Sequence, residues 1–193
     1  MFTQKTSRAH WLLAGTLLFS ISALAQGGKG EVVGFGGGTS LSGGAGTHGL
    51  FGGSAGARLT DHMHVFGEFA VVPLATASAT MEGVTANGSE KLYNFGGGVD
   101  YSFGSSERAV PYVLVAGGLS HDSASATANA AGYTVTVGAS ANAAYYGAGG
   151  GMRLYIGKKW GIKPEVRFQR YTGSGSSTIG VDFAVGLFYQ FGQ

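Results

Sequence analysis

The sequence has no cysteine. That excludes disulfide scaffolds, thiolate metal centres, cysteine nucleophiles and a lipidated N-terminal cysteine. Charge is scarce as well: Asp, Glu, Lys and Arg supply 11% of the 193 residues, where about 25% is ordinary for a soluble domain. Proline occurs three times, which removes collagen and Pro-rich disorder. Beyond residue 25 no apolar run reaches the ~18 residues that a membrane helix requires. Apolar residues at 44% and aromatics at 12% argue that low charge here does not mean disorder. Glycine is what abounds, with 37 residues, between two and three times the usual share of roughly 7%.

The N-terminus has the layout of a secretory signal. Lys5 and Arg8 precede the apolar stretch Trp11 to Leu24, and Ala23-Leu24-Ala25 gives the small-x-small pattern before Gln26. The expected division is a signal peptide at 1–25, cleaved between Ala25 and Gln26, and a single domain at 26–193. The stretch is too short to cross ~30 Å of hydrocarbon as an anchor. Its removal takes two basic residues and no acid, leaving ten of each sign and a net charge of zero. Nothing in that balance suggests a nucleic-acid partner.

The dominant pattern in the rest of the chain has period two. From Ile179 to Phe191 every odd position is apolar or aromatic, while the even positions include Gly180, Asp182, Ala184, Gly186 and Gln190. The same alternation runs through Tyr93 to Phe103 and Trp160 to Phe168, and a helix would mix the two sets. Weaker candidates lie at about 31–38, 50–59, 64–74, 110–120 and 143–156, for eight strands in all. Short connections alternate with long ones at 39–49, 75–88, 121–142 and 173–178. The long set is rich in Gly, Ala, Ser, Thr and Asn and reads as loop, with Tyr133 to Val137 as a hairpin extension above the sheet.

Strands of this length suit a tilted bilayer crossing, and in lipid a sheet must close so that every backbone group is paired. The expected fold is all-β: an eight-stranded antiparallel up-and-down barrel, apolar outside and polar or small inside. Alternation places Arg58, Glu68, Asp100, Arg153, Lys163, Glu165, Arg167 and Asp182 on the inner face, four charges of each sign. Arg58, Glu68, Asp100, Arg153 and Glu165 are expected to meet at one level as an ion network. Lys163 would repel Arg153 unless Glu165 or Asp100 lies between them. Pro73 and Pro111 are expected at strand ends, and Pro164 to need a bulge or a water. Tyr155, Trp160 and Tyr189 on one side, with Tyr93, Tyr145 and Tyr171 on the other, suit aromatic girdles at the headgroups.

Over residues 31–193 the chain resembles the eight-stranded outer-membrane barrel family of OmpA-like and opacity-protein-like porin-family domains. The likeness is carried by the signal peptide, Gly147 to Tyr155 (GAGGGMRLY), Trp160 to Tyr171 (WGIKPEVRFQRY) and the aromatic last strand. The resemblance implies Sec export, insertion by the barrel-assembly machinery among outer-membrane lipids, both termini in the periplasm and long loops outside. Such families usually end on an aromatic residue; here Phe191 is followed by Gly192-Gln193.

Chemistry of other kinds finds little footing. Gly34 to Gly38 and Gly147 to Gly151 lead into no helix, as a dinucleotide loop must. His62 and His64 flank Met63 in what reads as a solvated turn without converging metal ligands. Ser120, His121 and Asp122 are adjacent on one chain segment, so their side chains cannot line up as nucleophile, base and orienter. No catalytic, cofactor or metal residues are therefore expected. The expected role is non-enzymatic: a monomeric surface or structural barrel with a plugged lumen, with an extracellular ligand for its long loops. A narrow or gated pore, a lipid-modifying barrel enzyme and a secreted soluble sandwich are the alternatives.

Overall fold

The computed structural model describes residues 29–43, 46–81, 84–104, 108–130, 133–173 and 176–192. The signal peptide and its cleavage point lie outside the described residues. Eight strands follow one another: β1 (Gly30–Leu41), β2 (Gly46–Arg58), β3 (Met63–Met81), β4 (Val84–Ser102), β5 (Ala109–Ala130), β6 (Tyr133–Tyr155), β7 (Trp160–Gly173) and β8 (Ser176–Phe191). Each pairs antiparallel with its neighbours, and β1 pairs with β8, so the sheet closes into a barrel. No described residue is helical.

Alternation fixes which way each strand faces. Phe168, Phe183, Val185 and Leu187 point outward and are exposed, as are Val113, Val115 and Phe95. The residues between them point inward, where Tyr112, Leu114, Phe66 and Phe188 are buried beside Asp100, Arg153 and Lys163. The glycines make room for that filling. An added Cβ at Gly151 would stand 2.6 Å from the Tyr112 hydroxyl, and closer still to the Pro164 carbonyl oxygen. Gly96 is crowded in the same way by the Tyr145 hydroxyl. Eight strands leave space only for side chains at the axis, so bare backbone at these points lets a large ring cross.

Several expectations need correction. The segments read as long loops are mostly strand: β3 and β4 continue to Met81 and from Val84, and β5 and β6 to Ala130 and from Tyr133. Hydrogen-bonded ladders need only backbone partners, so a run of Ala, Ser and Thr can continue one that Val and Phe began. Pro73 lies within β3, at a register shift between Pro73 and Ala75. Pro164 carries no bulge; β6 and β7 hold one register on both sides of it, with ladder partners at Gly151↔Glu165 and Leu154↔Ile162. His64 belongs to β3 and is buried, whereas His62 is in the turn. Tyr145 and Tyr171 are buried in the interior and Tyr155 bonds to Gln190 there, so these three are not girdle residues. Trp160 and Tyr189 are exposed on the outside.

Candidate functional site: the charged barrel interior

The inward charges form two tiers. In the first, Arg153 of β6 is the hub. Its Nε and Nη2 donate to the Glu31 carboxylate at 2.8 and 3.1 Å, a two-point fork. Nη1 and Nη2 donate to Asp100 at 3.2 and 2.8 Å, and Nη1 also reaches Ser102 Oγ at 3.1 Å. His64 Nδ1 lies 3.1 Å from Asp100 Oδ2, Lys163 Nζ donates to Glu31 at 3.4 Å, and Gln190 Nε2 donates to Glu31 at 2.9 Å. Glu31, Asp100 and Arg153 are 2%, 0% and 3% exposed. Two acids thus face two bases, and a planar guanidinium with five donors suits the bidentate geometry.

The second tier centres on Arg167 of β7. Its Nη1 donates to both Glu68 oxygens at 2.8 and 2.6 Å, and its Nε donates to Glu165. Tyr112 donates to Glu165 at 2.5 Å and Tyr145 to Glu68 at 3.3 Å. Phe66, Tyr112 and Leu114 pack as an apolar cluster. Arg153 and Lys163 each stand 4.8 Å from the Tyr112 ring centre, within cation–π range, while Arg167 lies 5.7 Å from that of Phe66. Tyr112 therefore joins the tiers, its ring facing the first and its hydroxyl the second. Toward the other end, Asn94 donates to the Tyr171 hydroxyl at 3.2 Å, which in turn donates to Gln169 at 2.9 Å.

Of the eight residues expected inside, six belong to these tiers. Arg58 does not: it lines a cavity of about 10 Å³ at the short-turn end with Lys29, Asp61 and His62, and makes no ion pair among the described residues. Asp182 is buried and lines a cavity of about 20 Å³ with Glu68, Glu165 and Arg167, but its Oδ1 has no hydrogen-bond partner. The expected single level becomes two because barrel strands are tilted and staggered. Residues equally far from their turns then fall at different heights. Neither Glu165 nor Asp100 separates Lys163 from Arg153; Glu31 does, and sequence reasoning missed it. Its neighbours on the inner face of β1 are Val33 and Phe35, so the alternation there reads as apolar. The available signal was the repulsion between Lys163 and Arg153, which calls for an inward acid between them even though the eight expected charges balance.

No group of three or more His, Cys, Asp or Glu among the described residues could hold a metal. No family model matches the sequence, and no curated protein matches it significantly. Solved structures do match. Neisserial surface protein A superimposes with a TM-score of 0.59 at 15% identity, over 85% of this chain and 99% of that one. Ail, the attachment invasion locus protein of Yersinia pestis, gives 0.54 at 16% identity over 85% and 99%. A major outer membrane protein from Thermus thermophilus gives 0.51 at 10% over 84% and 99%. The chain has the fold of the eight-stranded outer-membrane β-barrels, the architecture of the OmpA-like and opacity-protein-like domains that its sequence resembles.

Proposed function

We propose that this is a non-enzymatic integral outer-membrane protein whose lumen is closed to ions and whose role is carried by its outer hairpins. In this reading it is exported by the Sec pathway, is cleaved before Gln26, keeps both termini in the periplasm and is inserted by the barrel-assembly machinery. The observation that carries the plug is the pairing of Arg153 with Glu31 and Asp100, all three buried at the axis. A water-filled channel would leave such groups solvated and free to move. Here each is fixed by its partners, and the Arg167 tier lies beyond. The exposed outer belt of Phe, Val and Leu supports contact with lipid.

An extracellular ligand remains part of this reading. Ail, of the same fold, has been solved with the heparin analogue sucrose octasulfate. The chemistry here differs: segments 75–81, 84–90, 124–130 and 133–139 carry one charge, the acid Glu90, so a polyanion finds no basic surface there. Purified protein in planar bilayers tests the plug, with a gel run before and after boiling to verify folding. The expected outcome is a heat-modifiable band and no steady conductance. A folded protein that conducts steadily makes the interior charges a pore lining. Turnover of lipid in the same vesicles would make the protein an enzyme.

A further inference from the structure

The alternation inverts partway along β3 to β6. Low in β5 the outward residues are Val113, Val115 and Leu119; higher up they are Ser123, Ser125, Thr127 and Asn129. The inward set changes oppositely, to Ala124, Ala126 and Ala128, paired with Ala139, Val137 and Val135 of β6. β4 and β3 do the same, the latter by way of its register shift at Pro73/Ala75. Hydroxyls tie the outward face together, at Ser89–Ser125, Thr127–Thr136 and Thr80–Thr85, 3.1 to 3.3 Å apart. The inward face is left bare, with Tyr133 79% exposed and Val135 and Val137 each 62%. β7 ends at Gly173 and β2 pairs with β3 only as far as Phe51↔Val71, so the opposite wall is too short to cover it. This four-stranded extension has one polar and one apolar face, like half of a water-soluble sandwich.

We propose that the missing half is the same face of a second copy, presented from an opposed membrane. Among the described residues the face carries one acid, Glu90, and no base, so it offers an anionic partner nothing and is otherwise matched by a second apolar face. Two copies related by a two-fold axis meet antiparallel. That sets the Tyr133 end of each near the mouth of the other, where Leu41, Leu74, Leu92 and Tyr171 line a cavity of about 260 Å³. Seven rows are shared by all four strands, from Ala75↔Glu90, Glu90↔Ala124 and Ala124↔Ala139 upward. At ~3.3 Å per row and ~4.8 Å per strand the face measures about 23 by 19 Å. Two such faces bury well under the ~1,200 Å² of a stable dimer. A single pair is therefore weak, and many pairs between two membranes hold by avidity.

This inference rests on the membrane reading, which liposome flotation tests separately. The experiment uses the mature protein in phosphatidylcholine vesicles at high and low density, compared by turbidity with a Val135→Asp/Val137→Asp double variant. Both proteins should float with lipid and show the heat-modifiable band. Parent vesicles should cluster with density, and the double variant should lose that clustering. Because the chain has no native cysteine, Ala126→Cys and Thr127→Cys report the two faces. A short bismaleimide should join copies through Ala126→Cys and not through Thr127→Cys. Floating vesicles that stay dispersed, clustering that survives the double variant, or equal cross-linking from both faces would each overturn the proposal.

Discussion

Arg153 shows how a single buried side chain can depend on several strands at once. It donates to Glu31 on β1 and to Asp100 and Ser102 on β4, and stands over the Tyr112 ring of β5. Truncating it leaves two buried carboxylates short of their main partner, a change that costs roughly 3–5 kcal/mol in comparable buried pairs. Arg153→Ala should lower the urea midpoint of the folded band accordingly. Arg58→Ala, whose guanidinium has no ion pair among the described residues, should stay within about 0.5 kcal/mol of the parent. Equal midpoints for the two variants would mean that the first tier is solvated. At this scale the sequence was partly legible. Asp100, Arg153, Lys163 and Arg167 stand opposite large apolar neighbours, so their direction is plain. Glu31 shares its face with Val33 and Phe35, and there the contrast fails.

Among the elements, legibility followed side-chain size. β4, β7 and β8 alternate Tyr, Phe, Trp, Val and Ile against Gly, Asp, Ser, Lys and Gln, so both strand and facing could be read. The outer parts of β3 to β6 alternate Ala with Ser, Thr and Asn, whose hydropathy contrast is small and whose composition matches that of loops. Only Tyr133 to Val137 stood out. The extension adds nothing to the packed interior, which ends near Ser120 and Tyr145. Replacing residues 124–139 by a two-residue Asn-Gly turn should therefore leave the heat-modifiable band and membrane flotation intact. Loss of the folded band on this deletion would make the extension part of the folding unit.

The whole molecule is inside out at one end and conventional at the other, which gives a test of its solvent. Val185 sits in the middle of β8, outward and exposed. On a water-soluble protein Val185→Arg would shift stability by about 0.5 kcal/mol or less. Facing the bilayer midplane it should cost roughly 2–4 kcal/mol. The same substitution at Thr127, on the polar face of the extension, should cost little. Measured by urea titration in vesicles, similar small effects at both positions would place β8 in water. The strand number, order and closure followed from period-two patterning and the need to pair every backbone group. The two-tier interior did not, because barrel stagger is a property of the closed sheet and of no single strand.

The placement of charge along the chain also bears on time. Glu31, Glu68 and Asp100 belong to β1, β3 and β4, whereas Arg153, Lys163 and Arg167 belong to β6 and β7. Glu31 meets partners 122, 132 and 159 residues away, counting Arg153, Lys163 and Gln190. A chain organised only as far as β5 holds these three acids without the cations of β6 and β7 that pair with them. Contacts of such sequence separation are costly to form early, so they belong late on the folding path, after its transition state. The network then works as a latch on the finished barrel. Arg153→Ala should lose its stability through faster unfolding, with a folding rate close to that of the parent. A folding arm of the chevron slowed as much as the unfolding arm is quickened would place the latch in the nucleus instead.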